Sequence, residues 1–172
     1  FVKLIIVREM NGTFFPQNKE LVDTVVLKFR KHCPGQAVEV QIPEDFIVIP
    51  MDSMLMEQVL TNLLENAVYH AKGMTRLILR VTAEGEKAVF AVEDDGCGIP
   101  KDKLRNLFTG TAASSSADSS RHGMGIGLSL CAAIVKAHGG EIWAESKPGQ
   151  GTKICFWLLT DINRTEEVQD EQ

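Results

Sequence analysis

Apolar residues recur at intervals of three and four in three stretches of the chain, which predicts three helices. The first helix is expected over residues 18–31, before Pro34 and Gly35, and the third over residues 127–137. Between them, Asp52 is a suitable N-cap for a long helix that runs to about residue 71 and stops before Gly73. The apolar stripe of this long helix consists of Leu55, Val59, Leu60, Leu63, Leu64 and Ala67.

Short apolar runs bounded by turn residues predict six strands. They are expected over residues 38–42, 46–49, 76–82, 88–93, 141–145 and 152–160. The third and fourth of these strands flank Glu84-Gly85-Glu86 and are expected to form a hairpin. Helices separated by mostly hairpin-connected strands predict an α+β two-layer sandwich, in which a mixed sheet carries its helices on one face.

Composition narrows the class of protein. A chain of 172 residues with 44% hydrophobic content is expected to form one domain. Its net charge of −5 comes with scattered Lys and Arg residues, which argues against nucleic-acid binding. The apolar runs are too short to span a bilayer, and the four cysteines lack metal or disulfide spacing, which indicates a reducing compartment. The chain begins at Phe1 instead of Met, so we expect it to be a fragment.

The segment 94–100 combines an acidic residue with a glycine turn directly after a predicted strand, and a second glycine-rich segment, 123–128, precedes the third helix. A buried Asp94 at the end of a strand would accept a hydrogen bond from the amino group of adenine. The carbonyl oxygen of guanine would be repelled there, at a cost of about 1–3 kcal/mol. The two segments together predict a nucleotide pocket.

Two amides on the long helix suggest a metal site. Asn62 and Asn66 are four residues apart and therefore share a helix face. An amide oxygen is a neutral ligand that suits Mg²⁺ when waters and phosphate oxygens complete its shell. The alternative for this pair is a structural role, in which both amides bridge neighbouring backbone groups.

Four segments in this order resemble the boxes of the GHKL ATP-binding superfamily. Residues 62–67 resemble its N box, 94–100 its G1 box, 123–128 its G2 box and 149–152 its final glycine box. The resemblance covers residues 37–160 and implies the Bergerat α/β sandwich fold. Within the superfamily, the chain most resembles the catalytic domain of bacterial sensor histidine kinases. Residues 56–68 and 106–110 are similar to the KdpD type of potassium-responsive sensors.

The resemblance assigns roles to particular residues. It makes Asp94 the acceptor for adenine and Asn66 the Mg²⁺ ligand. Asn62 would contact phosphate or metal-bound water, and Arg121 would contact the γ-phosphate, so Asn62, Glu65 and Arg121 are the catalytic candidates. The full nucleotide-binding set that it implies is Asn62, Asn66, Tyr69, His70, Asp94, Gly96, Gly98, Ile99, Gly123, Met124, Gly125, Ile126, Gly127, Leu128 and Thr152. Thr152 is expected to support the glycine turn more than to touch nucleotide.

The chain departs from the family pattern in two regions. Tyr69 stands where many of these kinases have a phosphate-binding Lys or Arg, and His70 where they often have Tyr. Loss of that cation should weaken phosphate binding and leaves a pseudokinase open as an alternative. The small polar run 109–120 resembles the family's ATP lid, although a plain linker would have the same composition. Phe108 fits the F box, whose second Phe and basic residue are missing.

Three function classes share these boxes. The first is a kinase module that holds Mg-ATP and presents the γ-phosphate to a His on another domain. The second is a GHKL ATPase of the gyrase, MutL or chaperone class, and the third is an anti-sigma kinase that phosphorylates Ser. Such hydrolases place a water-activating Glu four residues before the metal Asn, where this chain has Asn62, a poor general base. Glu65 is off by nearly a turn, so the kinase class is favoured.

The kinase interpretation also predicts how the domains are arranged along the chain and which partners they have. None of the chain's four histidines has the acceptor motif's neighbours, and His138 is expected to interact with a helix dipole instead. Residues 1–16 are therefore expected to connect to an upstream dimerisation and phosphoacceptor domain, 17–160 to bind ATP, and 161–172 to form a polar tail. The expected partners are that domain and a cognate response regulator. The implied location is a cytoplasmic domain of a homodimeric parent in the bacterial membrane.

Overall fold

The computed structural model describes residues 4–10, 13–17, 21–42, 47–110 and 124–161. The strands in this part of the chain are β1 (Leu4–Met10), β2 (Thr13–Gln17), β3 (Glu39–Gln41), β4 (Ile47–Pro50), β5 (Leu77–Glu84), β6 (Lys87–Asp94), β7 (Glu141–Ser146) and β8 (Thr152–Leu159). The helices are α1 (Leu21–His32), α2 (Ser53–His70), α3 (Lys101–Leu104) and α4 (Met124–Ala137).

Five strands form the main sheet, in the order β3-β5-β6-β8-β7. β3 pairs with β5 in parallel and the other neighbours are antiparallel, so the sheet is mixed. Helix α2 packs against α1, α4 and the strands β5 and β6, while α4 packs against β7 and β8. This is the predicted two-layer arrangement of a helical layer on a mixed sheet.

The core lies between the sheet and the helices. Every second residue of β5 and β6 belongs to this core, as expected for a sheet face against a helical layer: Leu77, Leu79, Val81, Ala88, Phe90 and Val92. Ile78 and Ala91, on the other face, are buried as well. The rings of Phe90 on β6 and Phe156 on β8 stack with their centroids 4.7 Å apart. From the helical layer, Phe29 and Met56 are both fully buried in the same cluster.

The long helix α2 begins where its sequence indicates. Asp52 Oδ1 accepts hydrogen bonds from the backbone N–H groups of Met54 at 2.9 Å and Leu55 at 3.1 Å, which makes Asp52 the predicted N-cap. The predicted stripe is wrong at one position, because Leu55 is 38% exposed while Met56 is fully buried. Adjacent apolar residues both fit a helical period, and the direction of the capped first turn decides which one faces the core.

Two parts of the fold are absent from the sequence prediction. The segment 1–16, interpreted as a connection, contains β1 and all of β2 except Gln17, and these two strands form a second sheet with β4 in the order β2-β1-β4. Its edge strands contain Pro16 and Pro50, and prolines are tolerated at sheet edges because an edge strand can spare an N–H. The short helix α3 is also unpredicted, and α4 begins at Met124, three residues before the expected start.

His138 joins the end of α4 to the start of α2. Its Nδ1 lies 2.8 Å from the Ile134 carbonyl oxygen, and its Nε2 accepts the backbone N–H of Asp52 at 3.1 Å. A carbonyl can only accept, so Nδ1 carries the proton and the ring is neutral. The contact with Ile134 agrees with the expected role at a helix end, while the bond to Asp52 fixes the two helices relative to each other.

Candidate nucleotide-binding site

A pocket opens where β6 and β8 meet α2 at one end of the sheet. The space in and above it amounts to about 390 Å³, part of which is open solvent at its mouth. The pocket is lined by Leu63, Asn66, Ala67, His70, Ala71, Val92, Asp94, Cys97, Gly98, Ile99, Thr152 and Ile154. Its walls are therefore mainly apolar, with a few polar groups from α2 and from two glycine turns, residues 94–100 at the end of β6 and residues 147–152 between β7 and β8.

Asp94 supplies the buried carboxylate of the pocket. It is the last residue of β6, is only 9% exposed, and its Oδ1 accepts the Gly96 N–H at 2.9 Å. Burial raises the pKa of this carboxyl, and hydrogen bonds from the backbone N–H groups of Gly96 and Thr152 partly oppose that shift. A buried acceptor of this kind is suited to a ligand that brings its own hydrogen-bond donor.

Asp95, the next residue, is not part of the pocket lining and has a structural role instead. Its Oδ1 accepts the backbone N–H groups of Thr75 at 2.7 Å and Arg76 at 2.8 Å, and its Oδ2 accepts the Thr75 hydroxyl at 2.5 Å. These bonds, led by the one from the Thr75 hydroxyl, lower the pKa of Asp95 to about 2. The two adjacent carboxyls thus have opposite pKa shifts: Asp95 anchors the turn to the loop before β5, and Asp94 remains for the pocket.

The glycines of the turns allow backbone to meet backbone. A Cβ at Gly98, which has φ +70°, would lie 2.1 Å from the Lys147 carbonyl oxygen. A Cβ at Gly96 would lie 2.6 Å from the Ala71 Cβ at the end of α2. The Gly149 N–H also donates to the Cys97 carbonyl at 2.8 Å, which closes the two glycine turns on each other. At Gly96 and Gly98, no larger residue fits without a shift of the neighbouring backbone.

The two N-box amides lie in different surroundings. Asn66 lines the pocket, whereas Asn62 lies against Cys131 on α4 and lowers the pKa of that thiol, which burial raises. The metal and phosphate roles of the two amides stay predictions. His70 also lines the pocket, and burial lowers the pKa of its imidazole. A low pKa favours the neutral ring, so His70 does not replace the cation that the family often carries nearby.

Two further sequence candidates lie outside the lining of the pocket. The Glu65 carboxylate contacts the Nδ1 of His32 on α1 at 2.9 Å. Tyr69 is 51% exposed on the surface of α2. Their predicted roles, catalytic for Glu65 and nucleotide-binding for Tyr69, stay predictions.

The G2 box and the lid are only partly within the described residues. Arg121, Gly123 and the lid segment 111–120 lie outside them. The backbone of Met124, Gly125 and Ile126 forms the first turn of α4. Further along this helix, Leu128 is buried in the core, and a Cβ at Gly127 would meet open space. Close approach of this helix start to phosphates stays a prediction.

The chemistry of the donor set suits Mg²⁺ held jointly by protein and nucleotide. Among the described residues, no group of three or more His, Cys, Asp or Glu side chains could hold a metal alone. Asn66 lines the pocket and has an amide oxygen, a neutral ligand, and Mg²⁺ commonly takes one or two protein oxygens and completes its shell with phosphates and waters. Asn66 therefore fits as the protein ligand of a nucleotide-bound Mg²⁺.

Sequence reasoning did not identify the groups that hold the pocket in shape. Asp95 accepts its hydrogen bonds from Thr75 and Arg76, about twenty residues earlier, so a local turn pattern did not indicate them. Ser146 accepts the Ile99 N–H at 2.7 Å across 47 residues, and no local pattern could have indicated that contact.

A helical layer on a mixed sheet, with a buried carboxylate and an amide in a pocket at the strand ends, defines a nucleotide-binding α/β sandwich. A family model described as "Histidine kinase-, DNA gyrase B-, and HSP90-like ATPase" matches residues 51–162. The chain belongs to this family of ATP-binding domains. This confirms the resemblance read from the four boxes.

Sensor proteins of bacteria are among the similar sequences. The chain is 39% identical over 146 residues to the sensor protein KdpD of Clostridium acetobutylicum, covering 84% of this chain and 16% of KdpD. It is 38% identical over 133 residues to the adaptive-response sensory kinase SasA of Nostoc, covering 77% of this chain and 33% of SasA. The chain thus spans a third or less of the length of these relatives and corresponds to their ATP-binding catalytic domain.

Solved structures agree with this assignment. The nucleotide-free catalytic domain of the histidine kinase ThkA is 25% identical, with a TM-score of 0.64 over 81% of this chain and 90% of that one. The predicted fold is therefore confirmed. In the part of the chain that the structure describes, no helix is long and apolar enough to cross a membrane.

Proposed function

We propose that this domain holds Mg-ATP and presents the γ-phosphate to a histidine on a separate domain of a two-component sensor kinase. The observation that supports this most directly is the buried Asp94 carboxylate in the pocket between α2 and the two glycine turns. In this proposal Asp94 accepts the adenine amino group and Asn66 holds Mg²⁺, which neutralises phosphate charge. Arg121 and the glycine-rich segment 123–128 would contact the phosphates.

The kinase class is favoured over the hydrolase class by the positions of Asn62 and Glu65. Asn62 occupies the place of the hydrolases' base, and an amide cannot take a proton from water. The nearby Glu65 pairs with His32 at 2.9 Å on the α1 side of α2 and is outside the pocket lining. Apart from Asp94, no acidic side chain of the described residues lines the pocket.

We predict that this chain alone binds ATP but turns it over slowly and does not label itself from [γ-³²P]ATP. Joined to the acceptor-helix domain of its parent, it should form acid-labile, base-stable phosphohistidine on that domain. The reason is that transfer depends on an in-line nucleophile, which the acceptor domain supplies. The measurement compares phosphate release and protein labelling for the two proteins, and we expect release by the chain alone to be at least about 100-fold slower than labelling of the joined one.

Three outcomes would contradict this proposal. Rapid hydrolysis by the chain alone that is lost in Glu65→Gln would favour the ATPase class. Acid-stable phosphoserine on a separate partner would favour the anti-sigma type of kinase. Tight ATP binding without any phosphoryl transfer to the joined domain would favour a pseudokinase, for which Tyr69 in place of a basic residue gives a reason.

A second prediction concerns the metal. Asn66→Ala should lower the ATP affinity measured with Mg²⁺ nearly to the value measured with a chelator, because the protein ligand is lost while Asp94 still accepts from adenine. The exposed Asn106, which is outside the pocket lining, provides the control variant Asn106→Ala. Calorimetric titrations with Mg²⁺ and with EDTA make the comparison, and an undiminished Mg²⁺ effect in Asn66→Ala would make Asn66 a structural amide.

The rest of the parent protein is proposed from the relatives. Residues 1–16 would lead to an upstream dimerisation and acceptor domain, 17–160 would form the catalytic domain, and 161–172 a polar tail. A homodimeric parent in the bacterial membrane would then pass phosphate to a response regulator. The KdpD resemblance favours a potassium or osmotic stimulus. Expression of the parent's target genes across a potassium series would test that stimulus.

A further inference from the structure

Ser146 is the last residue of β7, and its hydroxyl contacts three groups at the rim of the pocket. Its Oγ accepts the Ile99 N–H at 2.7 Å, donates to the Gly151 carbonyl oxygen at 2.7 Å and lies 3.0 Å from the Thr152 Oγ1. Ile99 belongs to the turn after β6, whereas Gly151 and Thr152 lead into β8. A single side chain therefore ties together the two turns that frame the nucleotide site.

Counting hydrogens fixes the direction of each bond. A serine hydroxyl has one hydrogen and two lone pairs. Its hydrogen goes to the Gly151 carbonyl, which can only accept, and one lone pair receives the Ile99 N–H. The contact with Thr152 must then use the second lone pair, so the Thr152 hydroxyl donates its only hydrogen to Ser146. Toward a ligand, Thr152 Oγ1 can therefore only accept a hydrogen bond.

This polarity matters because Thr152 lines the pocket beside Asp94. The two residues are direct partners across β6 and β8, so the hydroxyl oxygen and the carboxylate occupy the same end of the pocket. Two acceptors there favour a ligand edge that carries an amino donor. They oppose a ligand edge that carries a carbonyl oxygen, since neither group could donate to it.

Resting on the proposed function, we propose that Ser146 is a positioning residue that holds the Thr152 hydroxyl as an acceptor and so contributes to the preference for adenine. The frame of the site does not depend on it alone. The Gly149 N–H bond to the Cys97 carbonyl and the pairing of β7 with β8 hold the same turns together through backbone groups. Removing the Ser146 hydroxyl should therefore change the polarity of Thr152 more than the shape of the pocket.

The test uses ATP and inosine triphosphate, whose bases differ in an amino group and a carbonyl at the same ring position. We expect the wild type to prefer ATP. In Ser146→Ala, ATP affinity should fall about tenfold and the ratio of ATP to inosine triphosphate affinity should fall by a similar factor, because the freed Thr152 hydroxyl can rotate and donate to a carbonyl. Ser146→Thr keeps the hydroxyl and should restore both values.

A second variant tests the same role independently, in case Ser146→Ala does not fold. Thr152→Val removes the oriented hydroxyl while leaving the Ser146 bonds to Ile99 and Gly151, and it should lower the ATP preference to a similar extent. Thr82→Val, at the far end of β5, is the matched control and should leave the preference unchanged. All titrations are made well below the melting temperature that circular dichroism gives for each variant.

The outcomes separate this role from the alternatives. An unchanged nucleotide ratio in Ser146→Ala or in Thr152→Val would overturn it. An equal loss of affinity for both nucleotides, accompanied by a lower melting temperature, would reduce Ser146 to a structural support and would also overturn it. A wild type that binds neither nucleotide would reject the proposed function itself, whereas a wild type that binds both equally would reject the account of base selection by acceptors.

Discussion

Asp94→Asn is expected to weaken ATP binding by about 10- to 100-fold, because a charged, buried acceptor for the adenine amino group becomes a neutral amide. The free energy of unfolding should stay within about 1 kcal/mol of the wild type or rise. Burial raises the pKa of Asp94 above its unfolded value, so the stability from its protonated form is lost as the pH rises through the folded pKa. At neutral pH the ionised group therefore opposes folding, and the amide removes that cost.

Calorimetric titration and chemical denaturation of the same preparations measure the two effects. Asp23→Asn on α1, an exposed residue remote from the pocket lining, is the control for the loss of one negative charge. Affinity for ATP should also fall as the pH is lowered through the raised pKa of Asp94, and this dependence should disappear in Asp94→Asn. Equal ATP affinity in the wild type and Asp94→Asn would remove the argument for base recognition by this carboxylate.

Features that depend on neighbours in the sequence were predictable. The Asp52 cap, the long apolar period of α2 and the turn at Gly85, which has φ +61°, are each decided within a few residues. The position of Asp94 at the end of a strand before a glycine turn is local in the same way. These elements were enough to place the pocket.

What could not be predicted depends on contacts between distant segments. β1 lies beside β4 although some forty residues separate them, and an apolar run with weak periodicity does not indicate its partner. The bond from the Asp52 N–H to His138 spans 86 residues. Asn62 and Asn66 share a helix face, yet only the packing of α4 decides that Asn62 meets Cys131 while Asn66 faces the pocket.

The close contact between the two glycine turns makes Gly151 the position where one added methyl group should do most damage. A Cβ at Gly151 would lie 1.9 Å from the Asp94 carbonyl oxygen and 2.9 Å from the Asp95 Cα, and its φ is +81°. All the obstructing atoms belong to the backbone, so they cannot rotate away. We expect Gly151→Ala to lower the free energy of unfolding by about 2–5 kcal/mol, the sum of left-handed strain and overpacking. ATP binding should fall below detection, since β8 must move away from Asp94.

Gly149→Ala is the matched control from the same turn. Gly149 also has a positive φ, +76°, but a Cβ there would meet nothing within 4 Å. It should therefore show only the conformational strain, about 1–2 kcal/mol, and keep its ATP affinity because its N–H can still donate to the Cys97 carbonyl. Urea denaturation and ATP titration of both variants separate backbone strain from steric overlap. If Gly151→Ala matched Gly149→Ala in both measurements, close packing of the β7–β8 turn on the end of β6 would not be what shapes this pocket.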